Sequence, residues 1–307
     1  MGKICVVAGP TASGKTAVAV ELAKLIGGEV ISADSMQIYK GMDIGTAKPT
    51  AGERDNIPHH MIDIVNPDEL YSAALYQKQT RDVINDVLAR NRVPILCGGT
   101  GFYINAVLRD IDFAQDGDAD PLRGYFSEIA AQKGLEYMHN LLQEIDPVAA
   151  EAIHPNNVKR VVRALSYCKE TGQLFSQYNQ TQKKQPDVYE AAFCCLKMDR
   201  ELLYQRINQR VINMFAAGLE EEVAGLLAQG YGPSLVSMQG IGYKETVHFL
   251  QGGCTREEMV NIIQQNSRHY AKRQETWFRN QTPHAIYLQT SGGDAKEIAQ
   301  EMGRCHF

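Results

Sequence analysis

Residues 9–16 read Gly9-Pro10-Thr11-Ala12-Ser13-Gly14-Lys15-Thr16, a complete GxxxxGK[ST] pattern between an apolar run at 4–8 and a helical pattern at 16–26. No other feature constrains the fold as strongly. The glycines let backbone N–H groups converge on phosphate oxygens, and the start of the following helix adds its dipole. Lys15 supplies a point charge, and the Thr16 hydroxyl suits Mg²⁺. The motif specifies phosphate without specifying a nucleoside triphosphate, because any diphosphate ester satisfies it. A glycine turn that binds nothing is the alternative, and the strand–loop–helix setting speaks against it.

Further apolar strands at 30–33 and 94–97, the latter followed by glycines and a helical stretch at 102–108, predict an α/β domain with a largely parallel sheet. Ligands of such sheets lie beyond the carboxyl ends of the strands, so the loops at 9–16, 34–37 and 98–101 are expected to share one cleft. Asp34 stands just past a strand end. A carboxylate there serves as a general base, as a Mg²⁺ ligand, or only as a helix N-cap. In Gly98-Gly99-Thr100-Gly101 the glycines permit close backbone approach to a ligand and Thr100 offers a hydroxyl; a tight turn without a ligand is the other reading.

Residues 110–120 are acidic and small and read as a linker. Helical patterns fill 122–170, a polar stretch at 176–187 reads as loop, 191–197 reads as a strand, and long helices run to about 279. The segment 284–290 is expected to return a strand to the first sheet. The simplest architecture is a sheet domain, 1–113 with 193–307, interrupted by a smaller helical insertion at 114–192. In the insertion, Lys159, Arg160 and Arg163 cluster on one side of a helix, as a solvated face or as a phosphate contact. Near the C-terminus, Arg268, Lys272, Glu275 and Arg279 form a charged stripe, with Tyr270, Arg273 and Trp277 on another side. Arginine beside aromatics suits RNA, but a core helix with a charged outer face is the favoured reading.

Composition narrows the classes. With 44% apolar and 22% charged residues the chain has ordinary globular material. No segment approaches the roughly 18 apolar residues of a membrane span, and no signal peptide is expected. Seven cysteines without a CxxC pair fit a reduced, cytoplasmic protein with neither disulfides nor zinc. A net charge of −5 argues against indiscriminate nucleic-acid binding but leaves room for a local basic surface.

Taken together, several segments resemble the bacterial tRNA dimethylallyltransferase family: GPTASGKT at 9–16, DSMQIYKGMDIGTAKP at 34–49, PHHMID at 58–63 and GGTGFYI at 98–104. The likeness continues with HPNNVKRVVRAL at 154–165, LLYQRINQRV at 202–211, GIGYKE at 240–245 and YAKRQETWFRNQ at 270–281. The resemblance implies a P-loop NTPase-like core with a largely parallel sheet flanked by helices, plus a smaller inserted all-helical domain. It also implies a reaction: transfer of a dimethylallyl group from dimethylallyl diphosphate to N6 of the adenosine 3′ of the anticodon, position 37. Mg²⁺ is the implied cofactor and the tRNA anticodon stem-loop the implied partner, with no membrane and a monomer expected. Carried over by position, Gly9, Pro10, Thr11, Ala12, Ser13, Gly14, Lys15 and Thr16 hold the diphosphate, with Thr16 near the metal. Asp34 becomes the general base, Thr100 bonds the leaving group, and Arg210 is a second cation on it. Contacts to tRNA are implied at Asp34, Ser35, Met36, Gln37, Arg123, Lys159, Arg160, Val161, Val162, Arg163, Gln239, Gly240, Ile241, Gly242, Tyr243 and Lys244. A small-molecule kinase, a prenyltransferase of free adenine nucleotides and a non-catalytic RNA-binding P-loop protein remain as alternatives.

Overall fold

The computed structural model describes residues 2–111, 113, 121–183 and 185–306. Their strands form one six-stranded sheet in the order β3-β2-β4-β1-β5-β6, from β1 (Lys3–Ala8), β2 (Gly28–Ser32), β3 (His59–His60), β4 (Val93–Gly98), β5 (Glu190–Lys197) and β6 (Ile286–Gln289). Every pairing is parallel, with Val6 beside both Leu96 and Phe193. After β1 the chain steps outward through β2 and β3, returns in β4, then crosses to β5 and β6. The sheet therefore switches direction at β1, and the crevice beyond its carboxyl end is where α/β sheets bind ligands.

Helices α1 (Lys15–Ile26), α2 (Ala51–Arg54), α3 (Ala73–Ala89) and α4 (Gly101–Leu108) alternate with the first strands. Strands β1 and β2 are buried along nearly their whole length, which is why they read as unbroken apolar runs. On one face, Cys5, Val7, Ile95, Cys97, Cys194 and Leu196 pack against Val18 and Leu22 of α1 and against Ile298 and Met302 near the C-terminus. Each fully buried side chain of this size contributes about 1.5–3 kcal/mol.

Residues 109–188 form a separate compact unit. It holds α5 (Pro121–Lys133), α6 (Leu135–Ile145), α7 (Pro147–Ala152), α8 (Val158–Thr171) and α9 (Phe175–Lys183) around Phe126, Met138, Leu142, Val161, Leu165 and Phe175. Helix α9 departs from the loop expected at 176–187. Its polar sequence has little intrinsic stability, but Phe175 packs edge-on and Tyr178 tilted against Tyr167, with ring centroids 5.7 and 4.7 Å away. The buried Asp146 carboxylate also accepts the Ser176 N–H at 2.7 Å. Tertiary packing thus fixes a helix that local propensity does not. Most of the linker expected at 110–120, residue 112 and residues 114–120, lies outside the described residues.

The first unit resumes with α10 (Arg200–Ala216), α11 (Leu219–Ala228), α12 (Tyr243–Leu250), α13 (Arg256–Gln281) and α14 (Ala295–His306). Helix α14 packs on α1 and supplies Ile298 and Met302 to the sheet face.

Candidate active site

The 9–16 loop leaves β1 and turns into α1 at Gly14, whose φ of 90° lies in the left-handed region that glycine adopts without steric cost. Ser13 is buried and its hydroxyl donates to the Pro10 carbonyl at 2.8 Å. Lys15 Nζ donates to the same carbonyl at 2.6 Å, so the ammonium curls back over the loop. Burial pushes the Lys15 pKa down to about 8; the charge of Arg210 acts the same way and that of Asp34 opposes it. Thr16, half-buried, opens the first turn of α1.

Two other loops arrive beside this one. Asp34 follows β2, and its Oδ1 accepts the Met36 N–H at 2.9 Å, turning the chain sharply. The Thr100 N–H donates to the Ala33 carbonyl at 3.1 Å, and the Thr100 Oγ accepts the Ser35 N–H at 3.1 Å. These bonds join the 34–37 and 98–101 segments, two of the three that the strand-end rule assigns to one cleft. The glycines of 98–101 are crowded by the protein's own atoms. A Cβ on Gly98, Gly99 or Gly101 would lie 2.1 Å from Ala33 O, Gln274 Nε2 or Trp277 Cε3 respectively. Close approach is needed there by the protein's own atoms, and Thr100 alone presents a functional group.

Helices α10 and α13 close the site. Arg210 Nη1 donates to the Thr11 hydroxyl at 3.3 Å, and one turn earlier Arg206 Nε donates to the Ala12 carbonyl at 3.0 Å. Burial lowers the Arg210 pKa, against the pull of the Asp34 and Glu53 charges. From α13, Gln274 Oε1 accepts the Thr11 N–H at 2.8 Å while its Nε2 donates to the Gly99 carbonyl at 3.0 Å. From the same helix Tyr270 faces this cleft, and burial first, then the Asp34 charge, pushes its pKa up to about 12. Sequence reasoning missed Arg206 and Gln274 and gave Tyr270 no place in this cleft. One signal was present: Gln274 shares the Ala271–Phe278 face of α13, where a neutral amide is buried at 5% exposure.

Further along, Met36 meets Gly240, where an added Cβ would sit 2.6 Å from the methionine methyl. The segments 34–37 and 239–244 are thus neighbours. Glu222 of α11 orders the intervening loop. Its carboxylate accepts the N–H groups of Asp43, Ile44 and Gly45 at 2.9, 2.7 and 3.2 Å and the Tyr243 hydroxyl at 2.6 Å. Tyr243 is fully buried, so its side chain serves packing, as do the buried Val161 and Val162 of α8. The Gln37 amide is engaged inside the protein, accepting from the Ser32 hydroxyl and donating to the Thr46 and Ala47 carbonyls. Ile241 is half-buried and Gly242 caps α12, while Gln239 and Lys244 are exposed. In the helical unit Lys159 and Arg160 are exposed, Arg163 lies over the Phe175 ring at 5.7 Å, and Arg123 is half-buried on α5.

A parallel sheet switching direction at a lysine-bearing glycine loop, with a carboxylate, a threonine and two arginines beside it, defines an α/β protein with a P-loop-like core. Comparison with known proteins narrows that class. The sequence profile of the IPP transferase family matches residues 37–281, so the chain belongs to the IPP transferase family. It is 47% identical over 281 residues to a tRNA dimethylallyltransferase of Lachnoclostridium phytofermentans, covering 92% of this chain and 90% of the relative. A Geobacillus kaustophilus tRNA dimethylallyltransferase is 46% identical over 302 residues, 98% and 95% of the two chains. Among solved structures, a tRNA delta(2)-isopentenylpyrophosphate transferase of Staphylococcus epidermidis superposes with a TM-score of 0.71 at 39% identity, covering 99% of this chain and 100% of that one. A eukaryotic dimethylallyltransferase acting on tRNA gives 0.80 at 28% identity, with coverage of 98% and 75%.

Proposed function

We propose that this chain transfers the dimethylallyl group of dimethylallyl diphosphate to N6 of adenosine 37 in the tRNA anticodon loop, releasing diphosphate. The observation that carries the reading is the convergence of Lys15, Asp34, Thr100 and Arg210 at the carboxyl ends of the central strands in a chain of this family.

In the transfer the allylic C1–O bond breaks, its electron pair leaves with the diphosphate, and the N6 lone pair forms the new C–N bond. Lys15, Arg210 and the loop N–H groups stabilise the departing anion more than the bound donor, which is what lowers the barrier. Thr100 donates to the oxygen on which charge builds. The adenine amino group is a poor nucleophile, because its lone pair is delocalised into the ring. Asp34 accepts its hydrogen bond and then its proton, a contribution of about 10²–10⁴-fold. Mg²⁺ fits the residues present. The Thr16 hydroxyl in the first turn of α1 offers a hard oxygen, and Mg²⁺ is commonly held by one or two protein oxygens with substrate phosphates and water. When bound, the ion would neutralise charge on the diphosphate.

The adenine must leave its stack to reach the donor carbon, which costs less in a loop than in a duplex. Exposed Lys159, Arg160 and Lys244, with Arg123 and the 34–37 segment, are the proposed tRNA contacts. The reading takes the enzyme as a cytoplasmic monomer, since one chain supplies every proposed group; no helix among the described residues is long and apolar enough to cross a membrane. Incubation with labelled dimethylallyl diphosphate, Mg²⁺ and unmodified tRNA, beside AMP and ATP, tests it. Label is expected in tRNA alone; label in a free nucleotide, or in neither acceptor, overturns the assignment.

A further inference from the structure

We infer that Gln274 is a positioning residue, an amide brace that fixes the spacing between the diphosphate-binding loop and Thr100. The inference rests on the prenyl-transfer reading for what that spacing achieves. Gln274 is nearly fully buried, and both ends of its amide are committed. Its Oε1 accepts the Thr11 N–H at 2.8 Å and its Nε2 donates to the Gly99 carbonyl at 3.0 Å. The partners fix the orientation, since an N–H needs the oxygen and a carbonyl needs the NH₂. Gly99 completes the fit, because a Cβ there would fall 2.1 Å from Gln274 Nε2.

The consequence is geometric. Thr11 carries the hydroxyl that meets Arg210, and Gly99 immediately precedes Thr100. One buried amide therefore spans the segment that anchors the diphosphate and the segment that presents the donor to its departing oxygen. The Thr11 N–H is thus engaged by the brace, and the Ser13 N–H turns back to the Pro10 carbonyl at 3.4 Å. A misplacement of about 1 Å between reacting groups costs roughly a hundredfold in rate. A brace holding two loops to hydrogen-bond tolerance is therefore felt in turnover before it is felt in binding.

Two substitutions separate this role from simple core packing. Gln274→Met keeps the volume and removes both bonds. Gln274→Glu keeps an acceptor for Thr11 but, when ionised, sets a carboxylate against the Gly99 carbonyl; protonated, it again offers one donor and one acceptor. Burial and that carbonyl both favour the protonated form, so its pKa is raised. We expect turnover with saturating donor and tRNA to fall about tenfold to a hundredfold in both variants at pH 8.5, with the KM for tRNA changed less than twofold. As pH falls to 6, Gln274→Glu should recover severalfold relative to the parent at each pH, while Gln274→Met should not. Turnover within twofold of the parent in both folded variants, or a pH-independent Glu-to-parent ratio, overturns the brace. If the parent itself transfers no label, the prenyl-transfer reading falls alone. The brace is then judged by hydrogen exchange of the Thr11 amide, which Gln274→Met must speed at least fivefold for the inference to stand.

Discussion

Lys15 offers a direct test of how the phosphate loop works, because its charge is held in place against the cost of burial. Without a bound anion its pKa lies near 8 instead of 10.5, with burial as the main cause and Arg210 adding to it. At ~1.4 kcal/mol per pH unit, the ammonium is disfavoured by at most about 3.5 kcal/mol, a penalty that an arriving diphosphate should relieve. If the loop captures diphosphate chiefly through the ammonium, donor affinity must track the protonated fraction. At pH 7 about one molecule in eleven has a neutral Lys15, and at pH 9 about ten in eleven do, so the dissociation constant should rise about tenfold over that interval. Above pH 9 the slope approaches one decade per pH unit. The terminal phosphate of the donor, with a pKa near ~6, is already ionised and adds little across this window.

Equilibrium dialysis with labelled dimethylallyl diphosphate, at constant ionic strength and without tRNA, measures the effect. Lys15→Arg is the control, because a guanidinium stays charged throughout. Its affinity should be lower at neutral pH but flat to pH 9.5. An affinity for the parent that does not change between pH 7 and 9.5, or an equal slope in Lys15→Arg, would refute the reasoning. Linkage gives a second sign to check. The folded chain sheds this proton near pH 8 while the unfolded chain keeps it to about 10.5, so Lys15 makes stability rise with pH between those values.

Asp34→Asn should lower single-turnover transfer to tRNA by about 10²–10⁴-fold while donor affinity in dialysis stays within threefold; normal turnover would remove Asp34 from its role as base. Gly101→Ala drives a Cβ to 2.1 Å from the Trp277 indole and should cost about 1–3 kcal/mol in urea unfolding. Gly225→Ala, in α11 with nothing within 4 Å, should instead stabilise by about 0.5–1 kcal/mol. Affinity for tRNA should fall with salt, and Lys159→Ala with Arg160→Ala should reduce the log–log slope by about one for each phosphate no longer neutralised.

What the sequence reveals and what it hides follow one physical division. Strands such as Lys3–Ala8 are legible because burial on both faces demands an unbroken apolar run. The meeting of the 9–16, 34–37 and 98–101 loops is legible because parallel sheets place all their carboxyl ends together. His59–His60 escapes notice because two residues carry no period, and α9 because its stability comes from Tyr167 and Asp146, not from its own residues. In Gly98-Gly99-Thr100-Gly101 the need for glycine is legible but the neighbours that impose it are not: Ala33, Gln274 and Trp277 crowd the turn.

The same division runs through the site. Lys15, Asp34 and Thr100 lie at strand ends, where position in the chain already implies position in space. Arg206 and Gln274 act from the middle of helices, where only the packing of α10 and α13 shows which turn faces the loop. A polar residue on the buried face of a helix has to satisfy its hydrogen bonds inside the protein, and that obligation is the readable part. Gln274 meets it by binding one backbone group from each of two loops that diverge from neighbouring strands. Replacing such a residue changes the distance between those loops, whereas replacing a strand-end residue removes a charge or a proton acceptor. Gln274 variants should therefore lose rate through geometry and Asp34 variants through chemistry, so only the former can be restored by a side chain that rebuilds the same two hydrogen bonds.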